Sequence, residues 1–178
     1  EQLASLRAIP NLKLFRPADA METTECWQAA IENSDGPSVL ALSRQGLPAQ
    51  RTAHSDENLS ARGGYVLHEA EGGAPRIVLI ATGSEVALAA QARDVLQGEG
   101  HPTRIVSLPC WELFEAQAQT YRDEVLGSGA LRIGIVNKVV DRIPNPNERA
   151  EAKEEFEREL LNAVTQASLA QTKINEIE

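Results

Sequence analysis

The segment Arg76-Ile77-Val78-Leu79-Ile80-Ala81-Thr82-Gly83-Ser84-Glu85 most constrains what this chain can become. The aliphatic run Ile77–Ala81 has no polar alternation and passes straight into a Gly-containing turn and helix-forming sequence. A run of that kind reads as a strand buried on both faces, and such strands belong to parallel sheets covered by helices. The following residues keep the rhythm. Helical sequence over 85–97 leads to a strand at Arg104-Ile105-Val106-Ser107-Leu108, which Pro109 stops. Helical sequence over 111–126 then leads to a third strand, Leu131-Arg132-Ile133-Gly134-Ile135-Val136. Strand, helix, strand, helix, strand in close succession implies parallel pairing with right-handed crossovers.

A shorter α/β stretch precedes it. Leu12-Lys13-Leu14-Phe15 is a strand candidate ended by Arg16-Pro17, since Pro cannot donate to a ladder. Asp19 stands three residues before Glu22, a helix-start signature, and predicts a helix over 20–33 with Trp27, Ala30 and Ile31 on one face. Asp35-Gly36-Pro37 turns the chain into Ser38-Val39-Leu40-Ala41-Leu42-Ser43, read as a buried strand. Residues 49–75 are rich in Gly, Ser, Asn and Asp and read as a linker over the surface, with Tyr65-Val66-Leu67 a short strand candidate inside it. Beyond Ile143-Pro144-Asn145-Pro146-Asn147 lies sequence with no Gly or Pro, in which Phe156, Leu160, Ala163, Ala167, Ala170, Ile174 and Ile177 recur at spacings of four and three. That is the apolar seam of one long helix. The expected division is therefore 1–48, 49–75, 76–136 and a helical tail at 137–178.

Composition narrows the function classes. The 178 residues carry 17 Lys+Arg against 26 Asp+Glu, a net charge of -9, which repels phosphate backbones and argues against general nucleic-acid binding while leaving room for a local anion site. Aromatics are 4%, so the core is aliphatic. No apolar run approaches the roughly 20 residues of a membrane-spanning helix. Cys26 and Cys110 have no zinc or disulfide spacing and read as buried reduced thiols of a cytosolic protein. The first residues are not a signal peptide, and without an initiator Met the chain reads as a fragment or a processed product.

Few side-chain patterns point to chemistry. Thr82-Gly83-Ser84 between strand and helix can offer backbone N–H groups to an anion, but it lacks a dinucleotide fingerprint and a Walker lysine. Its simpler reading is a tight turn with Ser84 capping the helix. Ser43-Arg44-Gln45 follows a buried strand, at the edge where parallel sheets bind ligands. Arg44 there either solvates a strand end or forks onto a phosphate or carboxylate. His54, His68 and His101 are scattered, form no metal set and no catalytic triad, and read as surface residues. The run Glu154-Glu155-Phe156-Glu157 reads as a solvated helix face.

The wording of the chain resembles transketolases. The matching segments are Glu1 to Asn11, Phe15-Arg16-Pro17-Ala18-Asp19, Ala41-Leu42-Ser43-Arg44-Gln45-Gly46-Leu47-Pro48, Gly63-Gly64-Tyr65-Val66-Leu67, Ala81-Thr82-Gly83-Ser84-Glu85-Val86 and Val106-Ser107-Leu108-Pro109. They stay in order and cover about residues 1–136; the tail at 137–178 matches nothing in the family. The resemblance implies the end of the pyrimidine-binding domain at 1–48, then a three-layer C-terminal-like α/β domain with a mostly parallel sheet. It implies transfer of a two-carbon ketol unit between sugar phosphates by a cytoplasmic homodimer using thiamine diphosphate and a divalent cation, Mg or Ca. In that family the arginine of the Ser-Arg-Gln motif contacts the substrate phosphate, a role that falls on Arg44. The family's Gly-Asp-Gly segment, its activating glutamate and its active-site histidines have no counterpart here, so no catalytic, cofactor or metal residue is expected in this chain and it is expected to be inactive alone.

Two alternatives are a non-catalytic α/β interaction or oligomerisation module and a portion of another thiamine diphosphate enzyme; the Ser-Arg-Gln-Gly-Leu-Pro wording favours transketolase over the latter. The tail seam needs a cover. Its successive Ala positions bury little area, and Leu161, Val164 and Leu169 widen the stripe beyond a coiled-coil seam, which favours packing on the chain's own α/β body over self-pairing. Truncation after Asn145 is then expected to lower the melting temperature. An unchanged melting temperature with a dimer-to-monomer change in light scattering would show pairing between copies instead.

Overall fold

Strand β4 (Ile77–Ala81) is the centre of the larger sheet, as its unbroken aliphatic run requires. It pairs in parallel with β5 (Thr103–Ser107) on one side and β6 (Leu131–Gly134) on the other. The computed structural model describes residues 2–53 and 55–135 and the isolated positions 158 and 162. The expected tail helix, its seam and the acidic run at 154–157 lie outside the described residues, apart from those two positions.

Side chains alternate across a strand, so β4 feeds two cores. Ile77, Leu79 and Ala81 pack with Val86, Ala89 and Leu96 of helix α3 (Glu85–Gly98). Val78 packs on the other face with Val106, Phe114 and Val125, supplied by β5, α4 (Trp111–Glu115) and α5 (Gln119–Leu126). Helix, sheet and helix make the three layers expected. The helix expected over 111–126 is broken because Ala118 adopts an extended backbone, with ψ 144°, between α4 and α5.

The segment expected as a surface connection does more. Tyr65–His68 forms β3, an edge strand antiparallel to β5, so the sheet order is β3-β5-β4-β6. Gly63 makes the approach possible. Its φ is +80°, and a Cβ there would stand 2.3 Å from the Cys110 carbonyl oxygen and from the Phe114 nitrogen.

The N-terminal unit holds α1 (Gln2–Arg7), β1 (Lys13–Phe15), α2 (Ala20–Glu32) and β2 (Ser38–Leu40), with β1 and β2 parallel. β2 is shorter than expected and only half-buried, since β1 is its one partner among the described residues. Helix α2 forms where expected. Trp27 and Ile31 are 51% and 77% exposed, and the buried face carries Glu22, Glu25 and Cys26. The helix turns a polar face inward because that face has partners waiting.

Glu22 is the centre of those partners. Asp19 caps α2 by accepting from the Glu22 backbone N–H at 2.9 Å, and Glu22 Oε2 accepts from the Ala18 N–H at 2.6 Å. Its Oε1 accepts from the hydroxyls of Tyr65, at 2.8 Å, and Ser107, which belong to the other unit. Beside it Glu25 accepts from the Ser60 hydroxyl and backbone N–H and pairs with Arg51 at 2.7 Å. Backbone bonds join the same seam: Arg16 N–H to Pro109 O at 2.8 Å and Gly83 N–H to Arg16 O at 3.0 Å. Phe15, Cys26 and Cys110 close it with a shared apolar cluster.

Burial pushes the Glu22 carboxyl above its ordinary value of 4.5, against the pull of the Ser107, Ala18 and Tyr65 donors. The folded chain therefore holds this proton more tightly than the unfolded one. The stability tied to it is fully present below 4.5 and declines as pH rises through the higher folded value. Glu22→Ala orphans three buried donors and is expected to cost about 3 kcal/mol in urea unfolding at neutral pH. Glu22→Gln does not titrate, so the stability gap between wild type and this variant is expected to narrow as pH rises.

Candidate functional site at the carboxyl ends of the strands

β1, β2 and β4 all end at the same place. Behind their last residues a cavity of about 570 Å³ opens between the two units. Arg16 and Pro17 enter it after β1, Ala41 to Gln45 after β2, and Gly83 and Ser84 after β4. A smaller cavity of about 240 Å³ continues along the same loop towards Asp19 and Leu47. In parallel α/β sheets this edge collects ligands, because the loops diverge there and side chains from separate strands converge.

Arg44 is exposed and lines the larger cavity. The loop that carries it is held locally, with the Gln45 N–H donating to the Ser43 hydroxyl at 3.1 Å. Across the cavity, Arg16 is largely buried and donates through Nη2 to both oxygens of Glu85, at 3.0 and 3.3 Å. Sequence reading singled out Arg44 but not Arg16 or Glu85, which are 69 residues apart and meet only through the docking of the two units.

The Thr82-Gly83-Ser84 turn is tight as expected, but Ser84 does not cap α3. Its backbone is helical, with φ −60° and ψ −23°, and its hydroxyl makes no capping bond. A capping side chain needs an extended backbone to swing back over the first turn. Ser84 faces the cavity instead. Thr82 Oγ1 and Gly83 N–H both donate to the Arg16 carbonyl, which pins the turn to the end of β1.

The remaining candidates stand apart. His54 lies outside the described residues. His68 is half-buried on β3, and burial, with the Arg93 charge, holds its pKa below the ordinary histidine value. His101 follows α3 and donates its backbone N–H to Leu96 O. Among the described residues no three His, Cys, Asp or Glu side chains come together as a metal would require. Both cysteines are buried and free, and burial raises both thiols, Cys110 to about 12, which leaves them unreactive at neutral pH. Among the described residues no helix is long and apolar enough to cross a membrane.

Comparison with known proteins agrees with this layout. A model of the transketolase pyrimidine-binding domain matches residues 1–50, and a model of the transketolase-like C-terminal domain matches 63–145. The transketolase of Rhodobacter capsulatus is 52% identical over 135 residues, covering 76% of this chain and 20% of that protein. The chain belongs to the transketolase family. It spans about a fifth of the length of the curated relatives it matches. A structure of Pichia stipitis transketolase in complex with sedoheptulose 7-phosphate superposes with a TM-score of 0.77 at 29% identity, over 96% of this chain and 27% of that one. A structure described as a split gene transketolase, inactive beta4 tetramer, superposes with a TM-score of 0.64 at 25% identity, over 95% of this chain and 61% of that one.

In this transketolase segment the cavity depends on Gly83, whose φ is +61° and whose Cβ would stand 3.2 Å from Arg16 Nη2. Gly83→Ala is expected to cost about 1–2 kcal/mol for the left-handed backbone alone, read in urea unfolding.

Proposed function

We propose that this chain is the C-terminal portion of a transketolase, an enzyme that moves a two-carbon ketol unit between sugar phosphates, and that Arg44 receives the phosphate of the sugar. The observation that carries the reading is the exposed Arg44 guanidinium on a cavity at the carboxyl ends of β1, β2 and β4. Arginine suits the task because its planar fork matches phosphate oxygens two at a time and stays charged at any working pH. A sugar phosphate bound to the Pichia stipitis relative supports the substrate class.

The complete enzyme is read as a cytoplasmic homodimer that uses thiamine diphosphate with magnesium or calcium. The described residues do not fit that cofactor. The buried carboxylates Glu22, Glu25 and Glu85 are each engaged by protein donors, and no carboxylate cluster is left to hold a metal and a diphosphate. This chain's part is to bind and orient the phosphorylated end of the substrate, with the cofactor held by residues elsewhere. The inactive split gene relative supports the expectation that such a segment does not catalyse by itself.

In a complete enzyme, Arg44→Ala is expected to lower kcat/KM for phosphorylated acceptors by about 10- to 150-fold, the range of a lost charge-assisted contact of about 1.5–3 kcal/mol. An unphosphorylated acceptor should lose little. Steady-state kinetics with both acceptors checks this, and equal losses would remove the phosphate assignment.

A further inference from the structure

The loop that carries Arg44 is fixed at both ends. Just past β2, the Ala41 N–H donates to the Phe15 carbonyl at 2.8 Å. At the far end, the Gln50 N–H donates to Asp19 Oδ2, also at 2.8 Å. Between these two bonds Leu47 is half-buried, and Leu42 to Gly46, Pro48 and Ala49 are exposed. A stretch that buries so little of itself takes its position from its ends.

Asp19 is placed for two tasks. It is buried, and its extended backbone, with φ −152° and ψ −171°, swings the carboxylate over the first turn of α2. Oδ1 takes the Glu22 N–H at 2.9 Å, the ordinary duty of a helix cap. That duty needs one oxygen, and serine or asparagine performs it as well as aspartate. The second oxygen is spent on the loop, where a carboxylate makes a charge-assisted bond that is stronger than a neutral one. Leu42, Ser43, Gln45 and Leu47 line the smaller cavity with Asp19, so the loop folds around the start of α2. The next residue, Arg51, pairs with Glu25 at 2.7 Å and lies over the Tyr65 ring. Its long side chain keeps the segment near α2 without fixing the backbone at Gln50.

We propose that Asp19 is a positioning residue for Arg44, its second carboxylate oxygen anchoring the far end of the Arg44 loop. Both anchors then belong to the short segment from Phe15 to Asp19, so the guanidinium is held in register with the end of β1. A loop free at one end must be ordered by its ligand, which costs affinity; a loop fixed beforehand avoids that cost. The inference rests on the assignment of Arg44 to a substrate phosphate and adds the group that sets where Arg44 stands.

The test separates the two oxygens. Asp19→Ser keeps a capping oxygen and removes the acceptor for Gln50. In the full 178-residue chain, amide hydrogen exchange should become about tenfold faster at Gln50 and stay within about threefold of wild type at Glu22. Asp19→Asn keeps the side-chain shape and one acceptor, and should give the same result, which separates the lost bond from a cavity. In a complete enzyme, Asp19→Ser should raise KM for a phosphorylated acceptor about tenfold, with kcat and the kinetics of an unphosphorylated acceptor within about twofold. Unchanged Gln50 exchange in both variants would overturn the anchor. Equal acceleration at Glu22 and Gln50 would show loss of the helix start and would overturn it too. Fast Gln50 exchange with unchanged KM, where Arg44→Ala lowers kcat/KM for the phosphorylated acceptor, would overturn the positioning role and leave Arg44 standing. Equal losses for both acceptors in Arg44→Ala would remove the phosphate assignment itself, while selective acceleration at Gln50 would still support Asp19 as the anchor of the loop.

Discussion

The Glu22 carboxyl accepts from the Ala18 N–H on its own unit and from Tyr65 and Ser107 on the other. Burying a carboxyl is costly, and leaving any of its three donors unpaired would cost about 1–3 kcal/mol each. The network is favourable only when both units are docked with Tyr65 and Ser107 in place. Both of those residues sit at one junction, where β3 starts beside the end of β5 and their Cα positions are paired. One buried group thus ties the start of α2, the edge strand and the carboxyl end of the central sheet into a single arrangement.

The cavity inherits its shape from that arrangement. Arg16 lies on the short path between β1 and the Asp19 cap of α2, so the contacts that seat Glu22 also set where Arg16 crosses to Glu85. The Thr82-Gly83 turn is bonded to the Arg16 carbonyl, and the strand ends of both units are thereby brought to one edge. Parallel strands deliver their loops to a common side, so two sheets docked with their carboxyl ends together make a pocket where neither would alone.

Apolar pattern explains what was legible beforehand. The run Ile77–Ala81 announces a central parallel strand because only such a strand is buried on both faces. Asp19 and Glu22 announce the start of α2 at their i, i+3 spacing. The same logic does not find the inner face of α2, where Trp27 and Ile31 carry the apolar signal while Glu22 and Glu25 are buried. Periodicity weighs hydrophobicity and cannot register that Ser60, Tyr65 and Ser107 supply donors across the interface. Ser84 was misread for a related reason: its spacing suits a cap, but its helical backbone turns the hydroxyl away.

The amino-acid sequence by itself determined the strand–helix alternation, the mostly parallel sheet and, through its ordered motifs, the family and the candidate Arg44. These are local or statistical properties, carried by runs and spacings within a few tens of residues. The tertiary structure alone decided that Tyr65–His68 joins the sheet, that Glu22 is a buried tie between units, and that Arg16 meets Glu85 beside the cavity of Arg44. The last two depend on side chains 43 to 85 residues apart finding hydrogen-bond geometry, and such distances are set by docking rather than by any periodicity along the chain.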